Sequence, residues 1–163
     1  MINTFWQEFC QAKQLDLPQP EAWMFGDGTK EMGDELGQLV LDGKKSATCS
    51  AYELYDIRKE HLPQIGQYDI ILNGDNQPIA ITRVKQITLS KMIDVTPEFS
   101  KKEGEGDLSH DYWFKGHEDF FTKEYASLGL VFSTDKELVC EEFEVVFLRN
   151  KLNGYVSGFT FTK

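Results

Sequence analysis

A lysine and a threonine three residues apart form the first group of side chains in this sequence that could carry out chemistry. Both lie in the segment GKKSAT at 43–48, which follows an apolar helical stretch. A lysine removed from water loses proton affinity and can act as a base beside a hydroxyl. Lys45 and Thr48 are therefore candidates for such a pair. The alternative is that Lys44 and Lys45 only lie at a helix C-terminus, where cations are favoured.

The second group is the acidic segment EGEGD at 103–107. Its two glycines permit a close backbone approach or unusual backbone angles between the carboxylates. Such carboxylates could bind a hard cation, but no EF-hand spacing completes the set, and no metal is expected. A solvated acidic loop is the alternative for Glu105, and Asp107 suits the start of the helix that follows. Glu103 is the better candidate for a buried role.

The third group is aromatic and centres on Trp113 and His117, which are four residues apart and share one face of a predicted helix. A nucleobase could stack on the indole or on the neighbouring Tyr112, while His117 offers a hydrogen bond or a proton. Ordinary core packing around a satisfied histidine is the alternative. Zinc ligation by histidine is not expected, because no second histidine or cysteine stands at ligand spacing.

The elements that must position these groups follow the order helix, helix, strands, helix, strand. Hydrophobic periodicity, capping residues and turn signals predict their bounds. These are a helix over 3–15 capped by Asn3, a helix opening at Thr29 or Asp34 and ending before Gly43, a strand or tight loop at 46–50, strands at 67–73 and 78–89, a short helix over 97–103, a helix from Ser109 to about Ser127, a strand over 139–149, and one more hairpin or edge strand after residue 149. This order predicts an α+β domain whose mixed sheet curls into a small barrel with helices outside.

The composition limits the size of the protein and its partners. The chain has 163 residues, 17 Lys+Arg against 27 Asp+Glu, and a net charge of −10. This length suits one domain, residues 1–163, with an N-terminal helix segment at 1–20 and a C-terminal extension at 150–163. The acidity argues against binding long nucleic acid or anionic membranes by charge alone. The N-terminus lacks the apolar run of a signal peptide, so a soluble, cytoplasmic protein is expected.

Taken together, the order and spacing of these motifs resemble the ASCH domain family. The segment 43–48 is similar to the family's G-x-K-x-x-T signature, and 103–121 resembles the E-G-E-G-D…S…W…H…FF stretch of its longer bacterial members. The similarity runs from about Trp23 to Arg149. One departure is Cys49-Ser50, where several relatives carry isoleucine or alanine followed by arginine or serine.

The resemblance implies a PUA-like β-barrel with flanking helices and a cleft suited to a nucleotide or RNA. One small bacterial branch hydrolyses the acetyl amide of N(4)-acetylcytidine with a lysine, a threonine and a glutamate. By motif position these catalytic residues would be Lys45, Thr48 and Glu103. No cofactor is expected. The candidate substrate-binding residues are Lys44, Tyr112, Trp113 and His117.

Two other functions compete with hydrolysis. The first is a binding module that reads a modified base or an RNA end without turnover, with Lys44, Lys45 and Arg83 on phosphates. The second is a ribonuclease, in which Lys45 would stabilise phosphate charge and the acidic loop would hold a metal. The net charge of −10 disfavours the ribonuclease most, because it repels a long polyanion but not a neutral nucleoside. The expected partner is therefore a small nucleoside or a short RNA.

Overall fold

The computed structural model describes residues 1–149, which divide into two compact units. Unit 1 comprises residues 1–43, 66–83 and the described residues from 144 on, and unit 2 comprises 44–65 and 84–143. The hairpin or edge strand expected after residue 149 lies outside the described residues. In chain order the elements are α1 (Ile2–Lys13), β1 (Ala22–Trp23), α2 (Lys30–Leu41), β2 (Ala47–Ala51), α3 (Tyr52–Arg58), β3 (Tyr68–Leu72), β4 (Pro78–Lys91), a 3₁₀ turn (Met92–Asp94), α4 (Pro97–Lys102), α5 (His110–Ser127) and β5 (Glu137–Leu148).

The strands form one mixed sheet in the order β1-β3-β4-β5-β2. β1 pairs in parallel with β3, whereas the β3–β4 and β2–β5 pairs are antiparallel. The α+β class is therefore confirmed. Within residues 1–149 the sheet is not closed, since β1 and β2 are its two edges and are not paired with each other. β1 contributes only two residues to the sheet. So short an edge strand offers few backbone groups with which another strand could pair to close a barrel.

Unit 1 has a core built around the aromatic face of α1. Phe5, Trp6 and Phe9 are buried, as the spacing of apolar residues predicts, and they belong to one cluster with residues of β3, β4 and β5. The predicted cap is wrong, because Asn3 lies inside the first turn and Met1 holds the N-cap position without a side-chain hydrogen bond. The helix ends at Lys13, before the residue 15 that periodicity suggested.

Three later helices, α2, α4 and α5, begin at a hydroxyl cap, as the capping rule predicts. Thr29, Thr96 and Ser109 each accept a hydrogen bond from the backbone N–H three residues on, at the starts of α2, α4 and α5. Asp34, the alternative start of α2, lies inside that helix. Hydroxyl caps therefore mark the starts of α4 and α5, the two helices that flank the acidic segment 103–107.

Unit 2 contains a second core, in which β2, β5 and the helices bury apolar side chains such as Leu54, Trp113 and Leu138. The helix α3 was not predicted from the sequence. Its N-cap is Ala51, which offers no side-chain hydrogen bond, so the usual start signal is missing. The burial of Leu54 indicates that packing holds this helix, which is how most short helices in proteins are stabilised. Among residues 1–149, no helix combines the length and the apolar character that a membrane crossing needs.

Candidate functional site

Two segments of unit 2 meet where Lys45 precedes β2 and Glu103 follows α4. The Ser46 N–H donates to the carbonyl oxygen of Lys102 at 2.8 Å, which joins the two backbones. Gly104 makes this approach possible: its φ is +76°, and a Cβ there would lie 2.3 Å from the carbonyl oxygen of Lys44. The first glycine of the acidic motif therefore serves a close contact between two chain segments, which requires the absence of a side chain.

The contact brings Lys45 and Glu103 together in the interior of the unit. Lys45 is 3% exposed and Glu103 is 1% exposed. The Lys45 Nζ lies 3.5 Å from Oε1 of Glu103 and 3.4 Å from its carbonyl oxygen, and it lies 3.8 Å from Oε1 of Glu105. Buried charges are costly unless paired, so this ion pair is the most distinctive electrostatic feature of the unit.

Helix α5 brings two more donors to the same carboxylate. The indole Nε1–H of Trp113 donates a hydrogen bond to Oε2 of Glu103. The Nε2 of His117 lies 2.9 Å from that oxygen. The Nδ1–H of His117 donates to the carbonyl oxygen of Trp113, one turn earlier, at 2.8 Å. The backbone carbonyl therefore fixes the imidazole so that Nε2 faces Glu103.

These contacts determine the charge of Glu103. Burial alone would raise its pKa, but the charges of Lys45 and His117 and the hydrogen bonds from His117 and Trp113 together lower it to about 2. For His117, burial lowers the pKa, but the facing carboxylate outweighs this and the pKa is raised. Glu103 is therefore a carboxylate at neutral pH, surrounded by groups that favour its charged form.

A fourth group on this carboxylate, Cys49, was missed from the sequence. Its Sγ lies 3.7 Å from Oε2 of Glu103, and loss of hydration together with the nearby carboxylate raises the pKa of the thiol well above its usual range. One ligand atom each from Cys49, Glu103 and His117 lie within 4.8 Å of one another. These residues are far apart in sequence, so no spacing motif could have revealed the cluster. The departure of Cys49 from the family pattern was the one available signal.

Thr48 lies on β2 directly before Cys49 and is paired with Glu141 of β5. Successive side chains of a strand point to opposite faces of the sheet. Since the Cys49 side chain contacts Glu103, the alternation directs the Thr48 hydroxyl to the other face of β2. The lysine and glutamate of the candidate catalytic set are thus in contact, whereas the alternation turns the threonine hydroxyl away from them.

The candidate substrate-binding residues differ in their accessibility. Lys44 is exposed. Tyr112 is 52% exposed, and its ring packs over Gly106, where a Cβ would lie 2.3 Å from the ring. Trp113 is only 2% exposed, and its indole stacks with His117 at a centroid distance of 4.4 Å. A side chain so deeply buried presents no open ring face to a ligand, which makes Tyr112 the accessible aromatic residue.

Comparisons with known proteins agree on the class of domain. An ASCH domain family model matches residues 21–147. A crystal structure of a protein from Enterococcus faecalis V583 is 47% identical, with 89% of this chain and 87% of that one covered and a TM-score of 0.84. An ASCH domain from Lactobacillus crispatus JV V101 is 27% identical, with 88% and 92% covered and a TM-score of 0.79. No curated protein matches the chain.

Proposed function

Because the chain belongs to the ASCH domain family, we propose that it binds a nucleoside or a short RNA and hydrolyses an acylated nucleoside such as N(4)-acetylcytidine. The observation that carries the proposal is the buried Lys45–Glu103 pair, with Nζ 3.5 Å from Oε1. Burial of two charged groups is expensive, and perturbed charges of this kind concentrate at functional sites. The PUA-like barrel is part of the same proposal, supported by the likeness to the Lactobacillus crispatus ASCH domain.

In the proposed reaction, the Lys45 ammonium first loses a proton to solvent. The neutral amine then accepts the proton that water or the Thr48 hydroxyl releases as it attacks the acyl carbon. The resulting ammonium donates that proton to the leaving N4 nitrogen as the C–N bond breaks, so that acetate and cytidine are formed with the net consumption of one water. Glu103 is already ionised, since its pKa is lowered. Its role is therefore to orient Lys45 and to stabilise the ammonium as it forms, rather than to donate a proton.

Water is the proposed nucleophile in this arrangement, because the Thr48 hydroxyl is turned away from Lys45 and Glu103. Cys49, the neighbour of Thr48 on β2, contacts Glu103 directly, and strand alternation turns the threonine hydroxyl to the opposite face. Hydrolysis by water needs no acyl-enzyme intermediate and no hydroxyl at position 48, so Thr48→Ser and Thr48→Val should both retain activity. A covalent acyl-Thr48 intermediate, trapped by mass spectrometry, would instead assign the attack to Thr48.

The base of the substrate is proposed to meet the exposed side chains of the site. Tyr112 offers an accessible ring for stacking on the base. Lys44, which directly precedes Lys45 in the sequence, offers an exposed cation. His117 and Trp113 act instead through Glu103, because both direct a ring N–H or nitrogen to its Oε2. The proposal therefore gives these two residues the role of holding the carboxylate, in place of the predicted contact with the base.

The test is release of cytidine and acetate from N(4)-acetylcytidine by the purified full chain, followed by chromatography. Lys45→Ala should abolish release, because it removes the group that transfers the proton. Lys101→Ala is the matched control, since this lysine is exposed on α4, two residues before Glu103, and belongs to no part of the proposed site. It should retain wild-type activity.

Each other outcome decides against hydrolysis by this pair. Release that survives Lys45→Ala would exclude Lys45 from the reaction. Binding of a modified base or short RNA by the wild type, with no product, would support the alternative of a binding module. Cleavage of RNA with no release from the acetylated nucleoside would support the ribonuclease.

A further inference from the structure

We propose that Cys49, Glu103 and His117 form a binding site for a zinc-class divalent cation. The three residues come from β2, the end of α4 and the middle of α5, and one ligand atom from each lies within 4.8 Å of the other two. Thiolate, carboxylate and imidazole are the three ligand types that zinc takes from proteins. The proposal rests on this cluster and does not depend on the proposed hydrolysis.

Two of the three distances in the cluster are close to those of a tetrahedral zinc site, and the ligand atoms of Cys49 and His117 lie within 4.8 Å of each other. Zinc bonds of about 2.0 Å to nitrogen and oxygen and about 2.3 Å to sulfur place tetrahedral ligands about 3.3 Å (N to O) and about 3.5 Å (S to O) apart. The His117 Nε2 lies 2.9 Å from Oε2 of Glu103, and the Cys49 Sγ lies 3.7 Å from the same atom. Side-chain shifts that bring the ligand atoms of Cys49 and His117 to tetrahedral separation would produce the required geometry, with water in the fourth position.

The groups around the three ligands resemble the outer shell of a metal site. A metal-bound histidine usually donates its second ring N–H to a carbonyl or carboxylate, which fixes the tautomer. The Nδ1–H of His117 already donates to the carbonyl oxygen of Trp113 at 2.8 Å. A metal-bound carboxylate is usually hydrogen-bonded as well. Glu103 accepts the indole N–H of Trp113 and contacts Lys45 through its other oxygen, Oε1.

The ligand types select among metals. A thiolate is a soft ligand that disfavours Mg²⁺ and Ca²⁺, whereas thiolate with imidazole suits zinc and cobalt. Protons on Cys49 and His117 oppose binding, because both side chains must be deprotonated to ligate a metal and the pKa of each is raised. Lys45 also opposes binding, since its Nζ lies 3.5 Å from Oε1 of the ligating carboxylate. It contacts the oxygen that faces away from His117, so the cation and the ammonium would share the carboxylate from opposite oxygens.

The test is a titration with Co²⁺. The full chain is first treated with a chelator, a phosphine reductant keeps its thiols reduced, and the visible and near-ultraviolet absorbance is recorded after each addition. We expect a thiolate-to-cobalt charge-transfer band and intense visible bands of tetrahedral Co²⁺, which equimolar Zn²⁺ abolishes because zinc competes for the same site. Cys49→Ala should remove the charge-transfer band, and His117→Gln should weaken Co²⁺ binding at least about tenfold, since even outer-shell losses cost about 10- to 100-fold.

Cys140→Ala is the matched control, because Cys140 lies opposite Cys49 in the β2–β5 ladder but is not part of the cluster. It should keep both sets of bands. A wild type without the charge-transfer band would overturn the proposal, as would a band that persists in Cys49→Ala. If Cys49→Ala does not fold, as judged by circular dichroism, the decision passes to His117→Gln, and unchanged Co²⁺ affinity in that variant would overturn the site.

Discussion

Glu103 is the residue on which the candidate site depends, because four side chains converge on its carboxylate. Lys45 contacts one oxygen, and Trp113, His117 and Cys49 contact the other. Such convergence explains how a side chain that is 1% exposed stays ionised. It also means that a change at any one of these residues alters the charge balance of the others, so their effects on stability should be strongly non-additive.

The buried Lys45–Glu103 ion pair leads to a prediction about unfolding free energy. Lys45→Met keeps the aliphatic stem but leaves the Glu103 carboxylate without its ammonium, and removing one partner of a buried pair costs about 3–5 kcal/mol of unfolding free energy. The double variant Lys45→Met/Glu103→Gln should cost less than the sum of the two single variants, because the uncompensated charge is gone. Urea denaturation monitored by tryptophan fluorescence measures all three.

Lys102 and Glu142 supply the comparison for this experiment, because they form an ion pair in the same unit with side chains 51% and 23% exposed. Lys102→Met should cost less than about 1 kcal/mol, as is usual for exposed pairs. Equal losses at Lys45 and Lys102, or additive losses in the double variant, would contradict the view that burial makes the Lys45–Glu103 pair important.

At the scale of elements, the acidic loop after α4 is shaped by contacts that only glycine permits. Gly104 lies against the backbone of Lys44, and Gly106 lies under the ring of Tyr112. The carboxylates of the motif are therefore held by the packing of the loop on the segment before β2 and on α5. The sequence suggested that the glycines could admit a ligand or unusual angles, and the structure assigns both of them to internal contacts.

Gly104→Ala tests whether the loop needs a glycine for its contact with Lys44, and Gly43→Ala is the matched control. Both positions have positive φ, +76° and +72°, so each substitution incurs a backbone cost of about 1 kcal/mol or more. A Cβ at Gly104 would also lie 2.3 Å from the Lys44 carbonyl oxygen, whereas nothing lies within 4 Å of one at Gly43. Gly104→Ala should therefore lower the thermal midpoint more than Gly43→Ala. Equal midpoints would mean that the loop moves away at little cost.

At the scale of the whole molecule, the charge of −10 bears on the choice between ligands. A neutral nucleoside is neither attracted nor repelled by this net charge. A polyanion is repelled by it over about the Debye length, which is about 10 Å at 0.1 M salt. The acidity therefore favours a small ligand over long RNA, in agreement with a site whose cation, Lys45, is buried and paired.

Salt dependence tests this conclusion. Raising the salt concentration to about 0.5 M should leave kcat/KM for N(4)-acetylcytidine unchanged, because no net charge is screened. For the same nucleoside within a short RNA, kcat/KM should rise with salt as the repulsion is screened. A protein that gripped RNA through phosphate contacts would lose affinity with salt. A fall in kcat/KM for the RNA substrate would therefore contradict the preference for a small ligand.

Local signals in the sequence were sufficient for much of the fold. Hydroxyl caps at Thr29, Thr96 and Ser109 marked three helices, since a cap acts through the backbone a few residues away. The helix α3 was missed because it lacks such a cap and depends on burial of Leu54. Closure of the sheet could not be read from the sequence, since it depends on which strands pair at its edges.

For the site, the sequence by itself determined which groups could react: a lysine after Gly43, a glutamate beside two glycines, and a tryptophan and histidine one helical turn apart. Only the tertiary structure decided that Glu103 meets Lys45, and that Trp113 and His117 face its carboxylate. It also added Cys49, which no motif singled out. The reason is physical: turns and caps act over a few residues, whereas a buried carboxylate collects its partners from segments tens of residues apart.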